Sequence, residues 1–339
     1  MIKRLKNRRL VKYKKLKKIK KNFSRNSFND NEKLPKVIKN VTGKESEKNT
    51  PENIKIQQFD VLSIKEQLNQ IEEYFMKEKN DNNEEKPEIV FAISLKSKRV
   101  SRDWERVQEN LAKTLRSIFN NTDQNFRVII AGHKKPNKPE LNHERVTWLG
   151  VKFPPPINSR GFYMDKIQKR RVIGSYLRKI GFSGYFMPVD ADDWIHHRFV
   201  EYIRSFPVSD AFVFDKGYML NLYKKEIWMI NRFYTGCGTS QLFYFRNEEF
   251  PKTSRERDVQ RSNFKIAVGK RHGNVLEYLK NVNKKGTIVH YPFLIWVLAH
   301  GDNNSMILRK KDNNISAKHY HAKGEKFEYW FYDSFKILE

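Results

Sequence analysis

From Pro87 onward the apolar residues fall into short unbroken runs, separated by stretches in which they return every three or four positions. Ile89 to Leu95 is the first run. Trp104, Val107, Leu111, Leu115 and Ile118 then recur at helical spacing, with Asp103 and Glu105 at the start and Arg116 near the end, as a helix dipole favours. Phe126 to Ala131, closed by Gly132, and Val146 to Val151 are further strands, and Pro154-Pro155-Pro156 forbids a helix directly after the latter. Asp165 to Ile180 has the spacing of a helix stopped by Gly181, and Tyr185 to Val189 is the next strand. Such near-continuous apolar strands, alternating with helices, predict an α/β fold with a mainly parallel sheet flanked by helices on both faces. Ligands of such sheets sit beyond the carboxyl ends of the strands. Gln241 to Arg246 and Tyr291 to Leu298 are two later strands.

Ahead of Pro87 the pattern changes. Leu62 to Lys77 carries Leu62, Leu68, Ile71 and Phe75 at helical spacing, predicting a helix that packs on the main domain or tethers to it. Asn80 to Glu85 and Ser24 to about Glu52 are polar, the latter reading as a linker. Residues 1 to 22 hold twelve Lys or Arg and no acid, with Ile2, Leu5, Tyr13, Leu16, Ile19 and Phe23 loosely on one side of a helical wheel. That segment is either a basic amphipathic helix suited to anionic lipid or a disordered basic tail. The expected organisation is a basic segment over 1–23, a linker plus helix over 24–86, and the α/β domain over 87–339.

With 339 residues and 38% hydrophobic content the chain can bury a real core. Its formal charge of +28, of which 12 sit in the first 22 positions, draws it toward polyanions: nucleic acid, an anionic membrane face or phosphate-rich substrates. One cysteine, Cys237, excludes an intramolecular disulfide and any multi-cysteine metal centre. It is expected to be buried and inert. No apolar run of signal-peptide type follows Met1, and the longest run, Tyr291 to Ala299, is far short of the roughly 20 residues that cross a bilayer. These features fit a soluble or peripheral protein of a reducing cytoplasm.

The strongest chemical signal is Asp190-Ala191-Asp192-Asp193, directly after the run Tyr185 to Val189. Three carboxylates at a strand end need a cation, a basic partner or water, because desolvating even one costs several kcal/mol. A hard divalent ion held by one or two carboxylates completes its shell with substrate phosphates, so the cluster points to a phosphate-bearing substrate. The bland alternative is a solvated turn whose acid caps a helix near Trp194. Lys166, Lys169, Arg170 and Arg171 share the preceding helix, and Lys166 and Arg170, four apart, share a face from which a diphosphate could be held. Ser94 and Lys96, at the end of the first strand, reach a nucleotide by position alone. Tyr234 to Ser240 holds two glycines and small polar groups, a loop able to approach a ligand or a plain turn. The aromatics from Phe327 to Phe335 suit core packing or a dimer contact.

Between Ile89 and Ser305 the chain resembles the GT-A class of nucleotide-sugar glycosyltransferases. Lys169-Arg170-Arg171, followed about twenty residues later by Tyr185-Phe186-Met187-Pro188-Val189-Asp190-Ala191-Asp192-Asp193, carries most of the likeness. His300-Gly301-Asp302-Asn303-Asn304-Ser305 is similar to an ending found in bacterial rhamnosyltransferase-like enzymes. The resemblance implies a Rossmann-like GT-A sheet and a nucleotide-diphosphate-sugar donor with Mn²⁺ or Mg²⁺. Asp190 would face the ribose or nucleotide side and count among the metal ligands, Asp192 be the principal metal ligand, Asp193 a supporting ligand or an acceptor-side group, and His300 a late metal or diphosphate ligand. Ser94, Lys96, Lys166 and Arg170 would bind the nucleotide diphosphate, and Glu256, Asp258 or His272 would supply the base. The class often seats its base on an Asp after the second strand; here Ala131-Gly132-His133-Lys134 stands there, with His133 offered instead. Transfer of sugar to a glycan or lipid-linked acceptor at the cytoplasmic membrane face, in surface polysaccharide synthesis, is the expected function. The alternatives are a basic nucleic-acid-binding protein and an acidic-metal phosphotransferase or nuclease.

Overall fold

In a computed structural model, residues 60, 62–77, 86–268, 272–302 and 312–337 are described, all within one compact unit. The basic segment 1–23 and the linker that follows lie outside the described residues, as do Asn303, Asn304 and Ser305 of the late motif. In chain order the main elements are α1 (Ile64–Lys77), β1 (Ile89–Ser94), α2 (Trp104–Phe119), β2 (Phe126–Gly132), β3 (Val146–Gly150), α3 (Ser159–Lys179), β4 (Gly184–Val189), β5 (Trp194–Ile195) and α4 (Phe199–Ser205). There follow β6 (Ala211–Phe214), β7 (Lys216–Asn221), β8 (Glu226–Asn231), β9 (Gln241–Phe245), α5 (Glu256–Gln260), α6 (Val275–Asn281), β10 (Gly286–Val289), β11 (Leu294–Leu298), β12 (Glu325–Lys326) and α7 (Trp330–Ser334).

Seven strands form the central sheet in the order β3-β2-β1-β4-β9-β6-β10. Every neighbouring pair is parallel except those made by β9, which runs against both β4 and β6. The alternation of side chains along β1 shows why helices must cover both faces. Ile89, Phe91 and Ile93 point into one core with Val107, Leu111, Leu115 and Ile118 of α2, whereas Val90 and Ala92 join Ile167, Ile173 and Leu177 of α3. The expected mainly parallel α/β architecture is therefore present.

Helix α1 packs on the domain, since Ile64, Leu68, Ile71 and Phe75 are buried in the α2-side core. Phe327, Phe331 and Phe335 enter the same core, so the C-terminal aromatics are packing residues. Helix α3 begins six residues earlier than its apolar spacing suggests, at Ser159 behind an Asn158 N-cap. Among the described residues no helix is long and apolar enough to cross a membrane.

A second, five-stranded sheet, β12-β8-β7-β11-β5, was not legible beforehand. It decides the site. Trp194 and Ile195 do not open a helix; they pair antiparallel with Ile295 and Leu294 of β11. The acidic turn after β4 is thus pinned beside the strand that ends at Leu298, two residues before His300.

Candidate active site

The register of β1 on β4 ends at Ile93 opposite Val189, which sets Ser94 and Asp190 side by side at the carboxyl edge of the sheet. A cleft of about 360 Å³ opens there, lined by Ser94, Lys96, Lys166, Asp190, Asp192 and His300 among others. That volume falls in the range of small-molecule sites, roughly 300–1,000 Å³. Phe162, Tyr163 and Trp296 add aromatic wall, and Gly236 and Gly238 bring the Tyr234–Ser240 loop to its rim.

The three aspartates have separate fates. Asp190 is paired with Lys166 of α3, and its backbone N–H donates to Thr239 Oγ1 at 2.9 Å. Asp192 Oδ2 accepts from His300 Nε2 at 2.7 Å. Asp193 is buried at 1% exposure: Oδ2 accepts from Thr239 Oγ1 at 2.5 Å and from the Cys237 thiol at 3.4 Å, and Oδ1 from the Val297 N–H at 3.3 Å. Burial, then the charges of Asp192 and Asp190, push the Asp193 carboxyl well above the usual range. Burial, then the charges of Asp193 and Asp190, raise the Cys237 thiol, which is buried as expected. Asp193 therefore ties the acidic turn to the glycine loop and to β11, with both of its oxygens engaged inside the protein.

His300 is engaged at both ring nitrogens. Asn110 Nδ2 lies 2.7 Å from Nδ1, and the Asp302 N–H donates to Nδ1 at 3.4 Å, so Nδ1 accepts and the ring proton sits on Nε2. That proton is donated to Asp192. The imidazole braces the carboxylate and offers the cleft no free lone pair. Asp302, in turn, is 3% exposed and holds Lys96: Nζ donates to Oδ2 at 2.8 Å, while the Arg102 N–H donates to Oδ1 at 2.9 Å. The tight turn that delivers both residues passes through Ala299 at φ 59° and Gly301 at φ 93°.

Cations line the opposite wall. Ser94 Oγ donates to the Lys166 carbonyl at 3.1 Å, fixing the start of that wall. Arg170 lies behind it, nine-tenths buried, with Nε and Nη2 making no hydrogen bond. Burial lowers its pKa, opposed by the charge of Asp190. Below, fully buried Lys169 donates to the Leu95 carbonyl at 2.7 Å and to Asp165 Oδ2 at 2.5 Å. His133 stands 3.8 Å from the other Asp165 oxygen and its Nε2 donates to the Phe153 carbonyl at 3.0 Å, so its ring is engaged at the end of β2.

No family profile and no curated protein matches the chain. Solved structures do. The bifunctional glycosyltransferase WbbM is similar at TM-score 0.35 and 9% identity over 77% of this chain and 51% of that one, so the chain spans about half its length. A protein from Desulfovibrio desulfuricans G20 described as a nucleotide-diphospho-sugar transferase is similar at TM-score 0.33 and 8% identity, over 74% and 97%. The galactosyltransferase LgtC, solved with donor and acceptor sugar analogues, has TM-score 0.27 and 11% identity, over 67% and 84%. Each is a distant likeness of fold. With TM-scores below 0.5 they carry no weight on chemistry, which rests on the cleft.

The structure gathers Ser94, Lys96, Lys166, Asp190, Asp192 and His300 at one cleft, with Arg170 directly behind. It does not bring Glu256 or Asp258 there. Glu256 is exposed and 3.5 Å from Arg171, and Asp258 accepts from Thr253 beside Arg257. Both carboxylates belong to a solvated helix, α5, and neither lines the cleft. The backbone turn His272–Asn274 does reach the rim: a Cβ placed on Gly273 would stand 3.5 Å from Thr235. Sequence reasoning missed Asn110, Asp165 and Trp296, and no local signal marks them.

Proposed function

We propose that the chain is a glycosyltransferase that takes a sugar from a nucleotide-diphosphate donor to a glycan or lipid-linked acceptor. The observation that carries the reading is one cleft, at the carboxyl edge of a parallel sheet, with two accessible carboxylates facing a row of cations. A phosphate-bearing ligand needs cations, and a hard divalent ion needs carboxylates. Here both occupy one wall-to-wall space.

The donor set suits Mn²⁺ or Mg²⁺: Asp190 and Asp192 are partly exposed, at 29% and 30%, into the same cleft, and such ions are held by one or two carboxylates plus substrate phosphates. When bound, the ion neutralises charge that gathers on the departing diphosphate. Lys166 and Arg170 do the same from the protein side, and Lys96, held by Asp302, orients a further ammonium toward the ligand. Phe162, Tyr163 and Trp296 exclude water around a sugar or base. Of the residues considered for the base, His272 stays in the proposal because its turn abuts the cleft loop. The basic residues 1 to 22 are proposed to hold the enzyme at an anionic cytoplasmic membrane face, where surface polysaccharide precursors are built.

A thermal-shift screen of UDP, GDP, CDP and dTDP with Mn²⁺ tests the reading. One nucleotide should stabilise the native chain, by about 2.7 kcal/mol at a hundredfold excess over its dissociation constant. Hydrolysis of phosphodiesters with indifference to every nucleotide sugar would sink it in favour of a nuclease.

A further inference from the structure

Outside the cleft lining, two segments remote in sequence meet at one carboxylate. Glu72 of α1 has Oε1 at 3.0 Å from His197 Nε2 and 3.7 Å from His196 Nε2. The three donor atoms lie within 4.8 Å of one another, and among the described residues no other trio of His, Cys, Asp or Glu does so. Four ligands placed tetrahedrally at about 2.0–2.1 Å from Zn²⁺ stand roughly 3.3 Å apart. The separations of 3.0 and 3.7 Å bracket that value.

The surroundings prepare these atoms for a cation. His197 Nδ1 donates to the Ser334 carbonyl at 2.9 Å, which orients the ring so that Nε2 points at Glu72. A backbone carbonyl behind a metal-binding imidazole is the usual way such a ring is oriented. His196 is 1% exposed, and its Nε2 is buried without a hydrogen-bond partner. Its ring stacks on His197 with centroids 4.5 Å apart, so both rings aim their outer nitrogens at one oxygen. Arg198 Nε donates to the other oxygen of Glu72 at 3.0 Å, and Arg198 Nη1 donates to Glu201 at 2.8 Å. Arg198 is thus shared between two carboxylates, and the second Glu72 oxygen, Oε1, is buried and faces the two imidazoles.

We infer that Glu72, His196 and His197 form a second metal site, for a borderline divalent ion such as Zn²⁺, that clamps helix α1 to the catalytic domain. Two imidazoles and a carboxylate with one open position are a zinc-type ligand set, distinct from the oxygen-only pair in the cleft. Binding moves the His196 proton from Nε2 to Nδ1 and gives up the 3.2 Å bond that Nδ1 accepts from the Arg198 N–H. The ion replaces that bond with a ligand bond and joins α1, the turn before α4, and through Ser334 the end of α7.

The test strips the full chain with EDTA, dialyses it against Zn²⁺ alone and counts retained zinc, with Co²⁺ as a spectroscopic substitute. Wild type and Asp192→Asn should each retain one equivalent, rise in melting temperature with Zn²⁺, and show Co²⁺ d–d absorption of a low-symmetry site. Glu72→Gln and His197→Ala should lose all three properties, with zinc affinity falling on the order of a hundredfold or more, since loss of an outer-shell partner alone costs about 10–100-fold. Glu72→Gln keeps the size of the side chain and stands in if His197→Ala does not fold. Zinc retained equally by Glu72→Gln and wild type overturns the inference, as does a wild-type chain that keeps none. Loss of the zinc in Asp192→Asn alone would place the ion in the cleft and overturn it too.

Discussion

Asn110 Nδ2 stands 2.7 Å from His300 Nδ1, and through that ring it governs a carboxylate on the far side, Asp192. The amide donates, so the imidazole keeps its proton on Nε2 and gives it to Asp192 Oδ2. Helix α2 thereby sets the orientation of a group delivered by β4, although Asn110 need not meet any substrate.

Replacing Asn110 by Asp tests that relay. An acceptor at this position draws the ring proton to Nδ1 and leaves an Nε2 lone pair against the Asp192 carboxylate. Turnover of a nucleotide sugar should fall by about 10–100-fold, as for other partners one step removed from a site, while Asn110→Gln recovers part of it. Steady-state kinetics on the two variants checks this. Equal rates in Asn110→Asp and wild type would show that His300 is oriented by other means.

Lys169 and Asp165 form a buried pair under the cleft, with the ammonium also bound to the Leu95 carbonyl. Burial lowers the Lys169 pKa, opposed by Asp165, so the pair exists because each charge compensates the other. Lys169→Met should destabilise the fold by about 3–5 kcal/mol because it strands the carboxylate. The double variant Asp165→Leu/Lys169→Met should recover most of that loss. Urea unfolding of Lys169→Met, Asp165→Leu and the double variant measures the coupling, and additive losses would mean that the two residues act independently.

The α/β core was readable because its strands are buried on both faces and so appear as unbroken apolar runs. Ile89 to Ser94, Phe126 to Gly132 and Gly184 to Val189 all fall where those runs lie. The second sheet was not readable: β5 is two residues long, and β12 is Glu325–Lys326, too short and too polar for any periodicity. The site followed the same division. Asp190, Asp192, Lys96 and Lys166 stand at strand ends or on a basic helix face, where sequence position alone predicts convergence. Asp193 could not be told from its neighbours, since only the fold reveals that Thr239, Cys237 and Val297 surround it. Glu256 and Asp258 were drawn in by resemblance, and no residue pattern around them distinguishes a cleft base from a solvated acid.

Gly238 lies where a side chain would meet the Asp190–Lys166 pair. A Cβ added there stands 3.1 Å from Asp190 Oδ2 and 3.3 Å from Lys166 Nζ, closer than ordinary van der Waals contact. Both atoms end flexible side chains, so the backbone can stay while the pair shifts. Gly238→Ala should therefore raise KM for the donor several-fold with little change in melting temperature, and Gly238→Val should exaggerate both the KM effect and its selectivity over stability. A large fall in melting temperature with unchanged KM would assign this glycine to folding alone.

Glu249 supplies an acid-dependent contribution to stability at the opposite end of the sheet. Burial alone would raise its carboxyl pKa, but the Arg246 N–H at 2.9 Å, Asn263 at 2.7 Å and Lys284 at 2.9 Å together bring it below the ordinary 4.5. A carboxyl whose pKa is lower in the folded chain binds its proton more readily when unfolded. Its contribution is thus complete above pH 4.5 and fades as the pH falls toward and through the folded value. Glu249→Gln should lower the melting temperature at pH 7 and converge on wild type in acid, so the difference between the two melting curves shrinks steadily below pH 4.5. A difference that stays constant from pH 7 into acid would mean that Glu249 contributes by packing and neutral hydrogen bonds, and that its charge plays no part.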